Sequence, residues 1–336
     1  MTLEQFIEKI TRALEKYYGE NYRVRTLSVK KNNGLCLHGF SIFLQDSPNQ
    51  ITPTIYLDEF YERYMNGISL SEIMQEIIRT YEAHTVKEDI SMEFFLDYEK
   101  VKDRVVYKLV NYQMNEELLK EIPHISYLDM AVVFYYYMEN EVFGAASIMI
   151  YDAHMKKWQI DLKRLIADAE YNTPRVLGYR LTNMEDILRE LLRKDLSSRA
   201  SRKKNNYRHG EEKEEFPVDE MTDHIMDCFA EGQEENPMYV LTNRSNQNGA
   251  ACILYPNVLK EFAERIGSDL YILPSSIHEV ILIKDQGMED ADVLRNMVKD
   301  VNRTQLAPEE VLSDEVYHYS RKSGKVGLCE NKTSVK

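Results

Sequence analysis

Glycine is scarce, with thirteen in 336 residues. Neither G-x-x-x-x-G-K-[ST] nor G-x-G-x-x-G occurs, so loops that cradle phosphates on bare backbone are hardly available. H-E-x-x-H is missing too. The four cysteines, Cys36, Cys228, Cys252 and Cys329, form no C-x-x-C pair. Neither a zinc site nor a thioredoxin-like site is indicated, and no cofactor or metal is expected. A chain this long does not depend on disulfides, so reduced thiols of a cytoplasmic protein are expected. Long apolar runs are also lacking. The longest uncharged, strongly apolar stretch is the nine residues from Met130 to Met138, against the ~20 a spanning helix needs. The start, MTLEQFIEKI, has neither the basic opening nor the apolar run of a signal peptide. Export and membrane insertion are therefore not expected.

What is present is an ordinary globular composition, 43% hydrophobic and 29% charged, with enough apolar surface to offset the entropy of ordering. Twenty-three tyrosines stand against one tryptophan, a mix that suits half-buried strands. The net charge of −14 makes binding of nucleic acid by the whole surface unfavourable.

Periodicity divides the chain into modules. In residues 1–85, Thr2 and Gln5 have capping-box spacing. Leu3, Phe6, Ile7, Ile10, Leu14 and Tyr17 follow the three-four spacing of one apolar face of the helix behind them. Strands over Tyr22–Val29 and Leu35–Leu44 flank an Asn33-Gly34 step, a hairpin turn signal. The stretch Pro53–Tyr64 begins as a strand and ends helical. Ser69 and Glu72 then cap a helix with Ile73, Ile77, Ile78 and Tyr81 inward, which completes an α-β-β-β-α module. Residues 86–194 predict a middle α/β module. It has a polar helix from Glu88 to Val110, strands over Met130–Glu139 and Ala145–Tyr151, a helix over Asp161–Glu170 and a strand over Val176–Leu181. A helix capped by Thr182 and Glu185 closes it, with Ile187, Leu188, Leu191 and Leu192 inward.

Residues 195–237 read as a charged linker with a short helix at Val218–Phe229. Residues 238–325 predict β-β-α-β-β-α, with Ala250–Tyr255 as the second strand and 326–336 as a tail. The fold class is α+β: antiparallel sheets with helices packed on one face, in two or three modules.

Met238 to Asn243 (MYVLTN), Asn248 to Cys252 (NGAAC), Ile266 to Val280 and Leu306 to Asp314 resemble an uncharacterised clostridial family defined only as a domain of unknown function (DUF5688). Thr173 to Arg175 and the helix after Thr182 fit it as well. More loosely, Tyr56 to Tyr64 resembles a shorter family of uncharacterised bacterial cytosolic proteins. Neither resemblance implies an activity, a ligand or site residues.

Four clusters invite a functional reading. Ser275, Ser276, His278 and Glu279 place a serine beside a histidine, as a hydrolase would. Such chemistry needs a base within hydrogen-bond reach and an oxyanion hole, and no G-x-S-x-G elbow is present. A β-turn accounts for the same residues. Asp152 and His154 have the spacing of two metal ligands, but two are too few for a closed site. Asn243, Arg244 and Asn246 lie in a polar loop rich in donors, which suits either a binding loop or a hairpin turn. The basic run of residues 193–208, with Arg202, Lys203 and Lys204 at its centre, suits an acidic partner or nucleic acid. It has Tyr207 alone for base stacking and an acidic run beside it.

The expectation that follows is a cytoplasmic protein-binding or scaffold factor without catalysis, an accessory to a bacterial complex or mobile element. An enzyme with its site near Ser276, His278 and Glu279 is the first alternative. Nucleic-acid binding through the basic run is the second.

Overall fold

The computed structural model describes residues 1–45, 52–85, 92–140, 144–204, 237–287 and 291–329, with Asp219, Met221 to Asp223 and Met226. The chain forms two units. One comprises residues 1–176 with 307–310, the other residues 177–306 with 311–336. The α+β class holds, with three antiparallel sheets among the described residues.

The first unit opens with α1 (Leu3–Tyr18). Thr2 Oγ1 accepts the Gln5 N–H at 3.3 Å and Gln5 Oε1 accepts the Thr2 N–H at 3.1 Å, the capping box read from the sequence. Strands β1 (Tyr22–Lys30) and β2 (Cys36–Leu44) pair antiparallel, and β3 (Ile55–Tyr56) adds to β2. The turn between β1 and β2 puts Asn33 and Gly34 at positive φ, as an Asn-Gly turn requires. Helices α2 (Asp58–Met65) and α3 (Leu70–His84) follow, the latter capped by Ser69 and Glu72. Phe6, Ile10 and Leu14 of α1, Phe40 and Ile42 of β2, and Ile73, Ile77 and Tyr81 of α3 make one buried core. The Tyr81 hydroxyl reaches the Ile42 carbonyl at 3.1 Å, which satisfies the polar end of that ring.

Next come the short helix α4 (Tyr98–Val101), β4 (Val105–Asn111), the short helix α5 (Glu116–Leu119), β5 (His124–Tyr127), β6 (Met130–Asn140) and β7 (Gly144–Met149). Long β6 takes β4 along one edge; its other edge takes β5 at the start and β7 at the end. The expected polar helix over Glu88–Val110 is corrected here. Residues 105–110 read VVYKLV and are buried apart from half-buried Lys108. β-Branched and aromatic residues covered on both faces favour a strand, whatever the polar residues upstream suggest.

Helices α6 (Asp152–Trp158) and α7 (Leu162–Leu177) follow. The fully buried Thr173 Oγ1 donates to the Ala169 carbonyl at 2.6 Å and accepts the Tyr107 N–H at 3.0 Å, tying α7 to β4. Thr173→Val keeps the shape but removes that acceptor from the Tyr107 amide. We expect a loss of about 1–3 kcal/mol in urea denaturation of the full chain, with Thr173→Ser close to the parent. Equal stability of the Val and Ser variants would sink this assignment.

Among the described residues the second unit holds six strands in the order β13-β12-β10-β11-β9-β8. They are β8 (Arg180–Asn183), β9 (Met238–Thr242), β10 (Leu270–Pro274), β11 (Val280–Lys284), β12 (Tyr317–Ser320) and β13 (Lys325–Leu328). Its helices are α8 (Met184–Lys204), α9 (Val258–Ile266) and α10 (Ala291–Gln305). Leu294 and Val298 of α10 join a buried cluster with Tyr271, Leu273 and Ile283. Tyr239, the next residue along β9 from Met238, meets Phe262 of α9, ring centroids 4.9 Å apart.

Several element readings are corrected in this unit. Helix α7 runs to Leu177, and Gly178 at φ +58° turns the chain into β8, so residues 176–179 are not strand. Residues 249–254 form a buried 3₁₀ turn instead of a strand. Leu188 and Leu191 are exposed, because the inward stripe of α8 runs through Ile187, Leu192 and buried Leu196. The part of the expected linker from 195 to 204 continues α8 as helix. Residues 205–218 lie outside the described residues, as does most of the expected helix at Val218–Phe229.

Candidate functional site

The polar loop after β9 and the turn between β10 and β11 are far apart in sequence, and the fold brings them together. Asn243 is fully buried at the head of the loop. Its Oδ1 accepts the Ser245 N–H at 3.1 Å, the Ser245 hydroxyl at 2.9 Å and the Gln247 N–H at 3.3 Å, and its Nδ2 donates to the Gln247 carbonyl at 2.7 Å. One side chain thus closes the loop. Asn246 and Asn248 take positive φ within it, which asparagine tolerates. Asn246 Oδ1 accepts Arg180 Nη2 at 2.8 Å. The Arg244 side chain lies over Gly178, where an added Cβ would stand 2.6 Å from Nε.

Against this loop lies the turn with Ser275, Ser276, His278 and Glu279. The Thr242 hydroxyl donates to the His278 carbonyl at 2.8 Å, and the Asn248 N–H donates to His278 Nδ1 at 3.1 Å. Ser276 is buried, and its Oγ accepts the backbone N–H of His278 at 3.0 Å. The backbone of Glu279 accepts from the amides of both Ser275 and Ser276 at 3.2 Å. These bonds set the chemistry available. With Nδ1 as an acceptor, the neutral imidazole carries its proton on Nε2. That tautomer has no second lone pair for a serine hydroxyl, and the Ser276 hydroxyl bonds the backbone of His278, not its ring. Cys252 lies under the same loop, and burial pushes its thiol up to about 12, so it stays protonated.

The other sequence candidates lie elsewhere. His154 sits in the first turn of α6, and its Nδ1 accepts the Tyr151 N–H at 3.1 Å. Its ring packs on Phe95 and Trp158 at 5.1 and 5.7 Å, and burial holds it below the usual histidine range. Asp152 opens that helix. Among the described residues no group of three or more His, Cys, Asp or Glu could hold a metal ion. Arg202, Lys203 and Lys204 fall in the last turn of α8. Earlier in the same helix, Arg189 pairs with Asp223, and Arg193 with Asp219 at 3.1 Å. Among the described residues no helix is long and apolar enough to cross a membrane.

One feature of the first unit was not read from the sequence as a site: strand β1 ends its sheet. A groove of about 710 Å³ at Arg23, Arg25 and Phe43 and another of about 570 Å³ at Ile7, Thr11 and Leu27 lie along it. The one available signal was a nine-residue strand carrying Arg23, Arg25 and Lys30 and no acid.

Together these features define an α+β protein whose polar loop after β9 is closed by its own hydrogen bonds and whose strand β1, among the described residues, lies at one edge of its sheet. The family model for the Family of unknown function (DUF5688) matches residues 3–321, and the chain belongs to that family. No curated protein and no solved structure matches it.

Proposed function

We propose that this protein is a cytoplasmic protein-binding accessory factor that performs no catalysis. The observation that carries this reading is the open outer edge of β1, flanked by its two grooves. An unpaired strand edge offers a row of backbone donors and acceptors to another chain. The bonding around Ser276 and His278 supports the same reading, because the Ser276 hydroxyl oxygen is held by a backbone amide of its own turn and the His278 ring by the Asn248 amide of the loop beside it.

The competing hydrolase reading is tested on the full chain with a fluorophosphonate probe and 4-nitrophenyl acetate. The expected result is no labelling of Ser276 and no esterase activity above the Ser276→Ala variant. Stoichiometric labelling of Ser276, abolished in Ser276→Ala, would replace the binding reading with an enzymatic one.

A further inference from the structure

The hydrogen-bond phase of β1 is fixed at both ends. Gln45 donates to the Asn21 carbonyl at 2.9 Å, and Lys31 to the Leu35 carbonyl at 2.7 Å. The register between them runs unbroken from Tyr22 opposite Leu44 to Lys30 opposite Cys36. Bonded and non-bonded pairs alternate in an antiparallel ladder. Arg23, Arg25, Leu27 and Val29 therefore exchange backbone bonds with β2. The N–H and C=O groups of Val24, Thr26 and Ser28 point off the sheet, and among the described residues no backbone or side-chain group bonds them.

We propose that β1 takes up an acidic, extended segment of a partner protein as an added strand. This rests on the binding reading above and names its partner class. Backbone bonds to Val24, Thr26 and Ser28 would give affinity, and side chains at alternate positions would give selectivity. Arg23 and Arg25 share one sheet face and line the larger groove, which has no acid among its lining residues. Acidic side chains two apart on the incoming strand would lie beside them. The second groove mixes Ile7 and Leu27 with Glu4, Glu8 and Arg12 of α1, so the preference for an acidic strand rests on Arg23 and Arg25. The strand carries three cations and no anion in a chain of net charge −14. That polarity favours an acidic partner over a second copy, since self-pairing of β1 would bring together two strands that each carry three cations and no anion. The competing role for such charges is to guard the edge against any pairing.

The test uses the full chain and a fluorescein-labelled nine-residue peptide alternating Glu with Val, followed by anisotropy at low salt and by amide hydrogen exchange. Expected are saturable binding and slowed exchange at Val24, Thr26 and Ser28. A Lys/Val peptide should bind about tenfold or more weakly. Arg23→Glu with Arg25→Glu should reverse that preference. Thr26→Pro should abolish binding while the fold persists, because the lost N–H faces outward. If Thr26→Pro lowers Tm, the charge-reversal pair decides the matter alone. Absence of binding, equal binding of both peptides, binding without protection of these amides, or dimerisation through β1 would each overturn the proposal. None of these outcomes bears on Ser276, whose labelling tests the binding reading separately.

Discussion

Gly249→Ala is expected to be a severely damaging single-methyl change in the second unit, costing about 2–4 kcal/mol. A Cβ at Gly249 would stand 2.2 Å from Thr242 Oγ1, 2.5 Å from the His278 carbonyl oxygen and 2.6 Å from the Asn243 nitrogen. The latter two are backbone atoms, so no rotamer change relieves the overlap. The same space holds the Thr242 to His278 hydrogen bond, and Ala250 donates to the Ile277 carbonyl at 3.3 Å beside it. Overpacking alone costs about 1–3 kcal/mol, and breaking the Thr242 bond adds about 1 kcal/mol. Gly327→Ala is the control, since a Cβ there meets nothing within 4 Å and needs no unusual φ. Urea denaturation of both variants should separate them clearly. If Gly249→Ala unfolds at the same midpoint as Gly327→Ala, the close approach of the two loops is not real.

That close approach explains which features were legible in the sequence. The elements fixed by neighbours a few residues apart could be read directly. The two capping boxes, the Asn33-Gly34 turn, the face of α1 and the hairpin of β10 and β11 all express local spacing. The elements that were misread depend on contacts the spacing does not contain. Residues 249–254 have strand-like composition, but Gly249 must pass beneath the 277–279 turn, and the backbone coils to allow it. β4 was hidden because the polar residues before it carry a helical pattern and its apolar run shows no alternation when both faces are covered. The run from 193 to 204 looks like a linker by charge alone. It continues α8, whose Arg189 and Arg193 pair with Asp223 and Asp219, partners that local composition does not point to.

The same limit applies to the site. Serine and histidine two apart suggested a dyad, whereas the contacts made by Asn248 and Thr242 from another loop determine what His278 can do. The open edge of β1 left a fainter trace, because a missing neighbour shows in the strand that lacks it only through its charges, here Arg23, Arg25 and Lys30 with no acid.

Lys108 gives the second large effect, of opposite sign. It lies in β4 between Tyr107 and Leu109, both buried. Its ammonium stands 5.8 Å from the centroid of the Tyr135 ring, a weak compensation for lost hydration. Burial lowers its pKa from the usual 10.5 to about 8, and the charge of Lys31 adds to the shift. A lysine that sheds its proton more easily when folded opposes folding while it is charged. Below pH about 8 the penalty is full. Between about 8 and 10.5 the unfolded chain still holds the proton that the folded chain has released, so this contribution to stability rises with pH. At roughly 1.4 kcal/mol for each tenfold in proton affinity, the gap caps the cost on the order of 3 kcal/mol. Because the side chain is half-buried and partly screened by solvent, the expected gain for Lys108→Met at pH 7 is about 2 kcal/mol, or ~4–8 °C in Tm. The advantage of the variant should shrink as the comparison moves from neutral pH towards pH 10. A Tm difference that stays constant across that range would show that the methionine stabilises by packing alone and that Lys108 titrates like a lysine in water.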